Sequence, residues 1–172
     1  MQLNKSIIAA ALLAPIAQTT STLAQAVHQG GEGEMSTFSD KYNNFLAMTQ
    51  DTTDQGNKLA MIGMEKGTDD KTLLIAHFWD AATWEQFVAI WSKAQATATP
   101  NAATPNGYIP IDQFILSGDD GLLIVNKGID GSVEFTIIRG DLVKRTFTLA
   151  PSLFAAFNTK IAEMNKIFPT TP

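Results

Sequence analysis

The chain has no cysteine, which excludes disulfides, thiolate nucleophiles and cysteine-ligated zinc, and which fits any compartment. Histidine is nearly as scarce. His28 and His77 are the only two, too few and too far apart in sequence to read as a cluster for a transition metal. Charged residues make up 17% of the 172, below the usual quarter, and the net charge is −5. That balance argues against a protein that grips duplex DNA mainly through its phosphates, which takes many cations. No apolar run reaches the roughly 20 residues needed to span a bilayer.

Catalytic patterns are also missing. Gly30-Gly31-Glu32-Gly33 neither follows a strand nor opens a helix, so it is no phosphate loop. Ser117 and Ser152 lack the strand–turn–helix setting of a nucleophile elbow. Asp69-Asp70 and Asp119-Asp120 fall in turn sequences, where Asp bonds the backbone two residues on. Neither pair has the alternating ligands and closing Glu of a calcium loop. His77 lies among apolar strand residues, the setting of a hydrogen-bonded core histidine. The sequence therefore reads as non-enzymatic, with no cofactor and no metal.

What the chain does have is a core. Hydrophobic residues are 45% of the sequence and there are ten Phe, enough for one domain and too many for general disorder. Charge is unevenly placed. Ser36 to Asp112 holds five Lys against nine acidic residues, whereas Gln113 to Pro172 holds six of each, so an anion-binding face belongs to the second half.

At the N-terminus, Lys5, the eleven-residue apolar run Ile7–Ala17 and Ala24-Gln25-Ala26 form the three parts of a secretory signal. Residues 1–26 are read as that signal and 27–35 as a linker, which makes an exported protein, with no membrane span after cleavage, the preferred reading. A start at Met35 is the competing one, with the purine-rich codons of Gly31-Glu32-Gly33-Glu34 as a ribosome-binding site and the protein cytoplasmic. A retained hydrophobic helix ranks third.

Residues 36–172 read as a single α+β domain. Ser36 can cap a helix from about Thr37 to Gln50, with Phe38, Tyr42, Phe45, Leu46 and Thr49 as its apolar stripe. Lys58–Lys66 and Lys71–Trp79 read as a hairpin, and the second strand has Leu74, Ala76 and Phe78 on one face. Asp80 caps a helix to about Gln95 whose stripe holds Trp84, Phe87, Val88 and Trp91. Residues 96–110, rich in Pro, Ala, Thr and Asn, read as a flexible linker.

Ile111–Ser117, Gly121–Lys127, Ser132–Arg139 and Leu142–Leu149 follow as four strands of an antiparallel meander joined by short Gly/Asp turns. Pro151 opens a closing helix to about Ile167. The expected fold is an antiparallel sheet of meander hairpins with amphipathic helices on one face. A shift of 70 residues overlays Trp84 on Phe154, Phe87 on Phe157 and Trp91 on Ile161, which points to a duplicated strand–strand–helix unit.

Alternation along the last hairpin sends Thr136, Lys144, Thr146 and Thr148 outward, and Lys127 is read with them. With Arg139 they form a mildly basic, hydroxyl-bearing surface, the candidate ligand-binding residues. An ordinary solvated sheet face is the simplest account of it, and a groove for an extended anionic chain is the functional one, with Tyr108 and Phe114 as its candidate exposed aromatics.

The meander running into one helix, with Lys144-Arg145-Thr146-Phe147-Thr148-Leu149-Ala150-Pro151-Ser152-Leu153-Phe154 at the junction, resembles the fold of the PC4 and Whirly single-stranded-DNA-binding proteins. The resemblance spans about Lys58 to Phe168 and implies a repeated unit of four strands and a helix. The first half departs from it, showing two clear strands. Two functions follow: a non-catalytic binding or assembly module, able to form homo-oligomers, or a binder of single-stranded nucleic acid.

Overall fold

Asp40 decides how the folded chain begins. In the computed structural model its Oδ1 accepts from the backbone N–H groups of Tyr42 and Asn44, each at 2.8 Å, and Asn43 takes φ 60°. An Asx acceptor followed by an Asn in the left-handed region makes a turn. The expected helix from Thr37 to Gln50 is therefore two antiparallel strands, β1 (Ser36–Ser39) and β2 (Phe45–Thr52). The helical stripe fails at Tyr42, 64% exposed at the turn, while Leu46, Ala47, Met48 and Thr49 are buried in succession. Four consecutive buried residues mark a strand covered on both faces.

The structure describes residues 35–52, 58–66, 73–101, 104–116, 121–140 and 143–168. The expected signal segment 1–26, residues 27–34 of the linker, and the turns at 53–57, 67–70 and 118–120 lie outside them.

β3 (Lys58–Glu65) and β4 (Leu74–Phe78) pair as the expected hairpin, and β1-β2-β3-β4 form one antiparallel sheet. Asp80 then caps α1 (Ala81–Ala96) by accepting from Thr83 N at 2.8 Å. Beyond a 3₁₀ turn at Pro105–Gly107 the second sheet runs β5 (Tyr108–Leu116), β6 (Gly121–Gly128), β7 (Val133–Arg139) and β8 (Val143–Leu149), in sequence order. β5 starts inside the expected linker. Pro110 is tolerated there because β5 is an edge strand with a register shift between Pro110 and Asp112. Pro151 opens a 3₁₀ turn leading into α2 (Phe154–Met164).

The fold is thus α+β with antiparallel sheets, but with two four-stranded sheets where the sequence suggested one. The extra strands come from the segment misread as a helix, and α1 with its following turn separates the two ladders.

One cluster of buried side chains draws on both sheets and both helices. Phe135 on β7 lies 6.2 Å from Phe87, 6.0 Å from Trp91 and 5.6 Å from Phe157, so it touches α1 and α2 at once. Two indole N–H groups tie α1 to the C-terminal segment, Trp84 Nε1 to Asn165 Oδ1 and Trp91 Nε1 to Asn158 Oδ1, each at 2.7 Å. Buried indoles need such acceptors. Trp79 differs, being 47% exposed with its ring stacked on His77. Among the described residues no helix is long and apolar enough to cross a membrane.

Candidate ligand-binding groove along strand β8

Among the described residues β8 pairs with β7 alone, and its other edge meets the β1–β2 turn. The pairing register fixes what each face displays. Across the outer face run the rows Pro110–Asn126–Glu134–Thr148, Gln113–Ile124–Thr136–Thr146 and Ile115–Leu122–Ile138–Lys144. Thr136 and Thr146 are cross-strand partners whose hydroxyls hydrogen-bond at 3.0 Å, and Lys144 is exposed at the end of its row.

Lys127 is not on this face. It pairs with Val133, which in turn pairs with Leu149, and it shares the core-facing parity of Leu123 and Val125. Only 4% of it is exposed, and its ammonium lies 5.2 Å from the Phe154 ring centroid. Burial lowers its pKa from the ordinary lysine value, the nearby Asp130 charge opposing this. Arg139 also leaves the face: its Nη2 donates to the carbonyl of Ile75 at 2.8 Å, joining β7 to β4. Phe114 is buried against Phe78 and offers no exposed ring.

The β1–β2 turn completes the site. Asp40 Oδ2 accepts from Thr148 N at 3.2 Å and from Asn44 Nδ2 at 2.9 Å, which pins the turn to the free edge of β8. A cleft lies on each side of the pinned turn. One, of about 230 Å³, is lined by Asn44, Lys66, Lys144, Arg145 and Thr146. The other, of about 410 Å³, includes Lys41, Tyr42, Tyr108, Ile129, Glu134 and Thr148.

Tyr42, Tyr108 and Ile129 are 64%, 39% and 51% exposed, so three of the large exposed apolar side chains converge on one cleft. Among the described residues neither tyrosine ring packs on another aromatic ring. Together the two clefts are lined by four cations, Lys41, Lys66, Lys144 and Arg145, and two carboxylates, Asp130 and Glu134. The chain as a whole is acidic, but this edge is not.

Two local bonds settle the charges at the larger cleft. Asp130 is held below the usual carboxylate range, first by the Ser132 hydroxyl and then by the Ser132 N–H, and its Oδ2 lies 3.6 Å from Lys41. Lys41 is raised, chiefly by the Tyr42 phenol beside it. Both groups are therefore charged at neutral pH.

Of the six residues expected from sequence, Thr136, Lys144, Thr146 and Thr148 lie together on β8 and its neighbour, and Lys127 and Arg139 do not join them. Tyr42, Lys41, Asn44 and Lys66 were missed. Asp40-Lys41-Tyr42-Asn43-Asn44 carries a readable turn signal, three Asx residues around two others, which the helical spacing of Tyr42 masked. Among the described residues no three His, Asp or Glu gather as metal ligands.

No protein-family model matches the chain, and no curated protein matches it.

Proposed function

We propose that this protein is a non-catalytic binding module whose binding surface is the free edge of β8 with its two flanking clefts. The observation that carries the proposal is the convergence there of exposed Tyr42 and Tyr108 with Lys41, Lys66 and Lys144. The exposed Tyr108 ring, and the Tyr42 ring with the Lys41 ammonium 5.2 Å from its centroid, bring aromatic surface and cations together, as a ligand with planar groups on an anionic backbone requires.

That chemistry favours the second reading, single-stranded nucleic acid as the occupant. Cations follow the phosphates, and each stacked base contributes about 1–3 kcal/mol. The order of four strands and a helix in each half supports the resemblance to the PC4 and Whirly fold. On this reading the two halves are one duplicated unit, and residues 36–172 act as one domain. A fluorescence titration with single-stranded oligonucleotides at two salt concentrations tests it. Binding at low salt that weakens as salt rises is expected, and no binding at low salt ends the nucleic-acid reading. Mass spectrometry of the native N-terminus bears on the same point: a chain beginning at Val27 outside the cytoplasm opposes it, and one beginning at Met35 agrees with it.

A second copy of the chain is the other proposed partner. The aliphatic row Ile115–Leu122–Ile138 on the outer face, with Ile115 77% exposed, supports it. Sedimentation over a concentration series tests it, and a monomer throughout removes it.

A further inference from the structure

The larger cleft carries chemistry that phosphate binding does not use. Glu134 lines it beside its cross-strand partner Thr148, in the outer row of β7. Its Oε1 accepts from Asn126 Nδ2 at 3.1 Å, and Asn126 is itself buried, so the carboxylate is held in place. Asp130 is already engaged, Oδ1 by Ser132 and Oδ2 by Lys41. Among the described residues, Glu134 Oε2 has no partner. A carboxylate in a cleft also lined by two tyrosines repels a phosphate and accepts from a donor edge. Lys41, at the rim, is where a phosphate is tolerated.

We infer that this cleft is a base-reading pocket that seats a nucleobase beside Tyr42 and Tyr108 and reads its donor edge with Glu134, preferring guanine. The inference rests on the nucleic-acid reading and adds base preference to it. Guanine presents two adjacent donors on its Watson–Crick edge, the N1–H and the N2 amine, and a fixed carboxylate can accept from both. Thymine presents one N–H between two carbonyl oxygens, which the carboxylate repels. Adenine and cytosine place one amine beside an acceptor nitrogen and fall between. Single-stranded bases are open to reading on this edge because it is unpaired. The volume of about 410 Å³ lies within the range of small-ligand sites.

The test compares an oligothymidylate of about twelve nucleotides with the same strand carrying one central guanine, a length suited to one domain and free of guanine quartets. Both are titrated against the wild-type chain and Glu134→Gln, with Tyr108→Ala as a second variant. The guanine strand is expected to bind about tenfold tighter to the wild type, since bidentate base contacts discriminate on that scale. In Glu134→Gln that ratio should collapse toward one, the guanine strand losing its fixed acceptor and the oligothymidylate tightening as the repulsion of its carbonyls is lifted, and Tyr108→Ala should weaken both strands. Equal binding of the two strands, or a preference that survives Glu134→Gln, overturns the pocket and leaves nucleic-acid binding standing. No binding of either strand overturns both.

Discussion

Replacing Phe135 by Ala tests whether the two sheets and two helices share one core. The ring is 1% exposed, at the centre of β7, between cross-strand partners Val125 and Phe147. Burial of such a ring and the cavity left by its removal cost about 3–5 kcal/mol. Three aromatic neighbours from two helices add roughly 0.5–1.5 kcal/mol each beyond area, though these contributions overlap. None of the neighbours can easily collapse into the space, since each is fixed on a paired strand or a helix that packs elsewhere. The expected loss is therefore about 4–5 kcal/mol, or roughly 10–18 °C in Tm for a chain of this size.

The assay is urea unfolding followed in parallel by tryptophan fluorescence and far-UV circular dichroism. Trp84 and Trp91 are both buried in the cluster and report on it. Because total stability is about 5–15 kcal/mol, Phe135→Leu serves as the milder variant, with an expected loss of about 1–2 kcal/mol. Ile115→Ala, at an exposed site, should change stability by less than about 0.5 kcal/mol. A loss below about 1.5 kcal/mol in Phe135→Ala, or two separate transitions in the wild type, would refute the shared core.

Asp40→Ala removes three hydrogen bonds within the β1–β2 turn and the one that ties it to β8, and should cost about 1–2 kcal/mol by chemical denaturation, with ligand affinity falling alongside. Asp40→Asn, which keeps the Oδ1 acceptor for Tyr42 and Asn44 N–H and loses the one facing Thr148, should cost less than Asp40→Ala; equal losses would count against the Oδ1 turn bonds. Lys127 makes stability rise with alkaline pH. Below its folded pKa both states are protonated and the burial cost is present in full. Between that pKa and the unfolded value of 10.5 the folded chain sheds the proton first, and stability climbs. Subtracting the profile of Lys127→Met isolates this rise, and a flat difference up to pH 10.5 would contradict the burial of the amine. Tyr42→Ala and Tyr108→Ala should each weaken single-stranded DNA binding by about 5–100-fold, with unchanged Tm.

Much of the second half was legible in the sequence because period-two alternation and Gly/Asp turns agree with each other from Gly121 to Leu149. Each boundary there moved by one residue or so. The first half misled because Phe38, Tyr42, Phe45, Leu46 and Thr49 fit helical spacing by coincidence. The turn at Asp40, a side-chain bond over two residues, overrides that pattern. Lys127 was misassigned for a different reason. Sequence reading places a lysine outward by default, whereas strand parity puts it with Leu123 and Val125, and the core accepts its stem against Phe154. Tyr42 could not be recognised as a groove residue until the turn was known, since its role depends on β8, which lies about a hundred residues away in sequence.

Backbone amide mapping by NMR, with a short single-stranded oligonucleotide added at low salt, tests the β8 groove most directly. Chemical-shift changes should concentrate at Lys41, Tyr42, Tyr108, Lys144, Thr146 and Thr148 and leave the Trp84–Phe168 cleft unmoved. Changes confined to that other cleft or to the first sheet, or no change at all, would contradict the assignment of β8 as the binding edge.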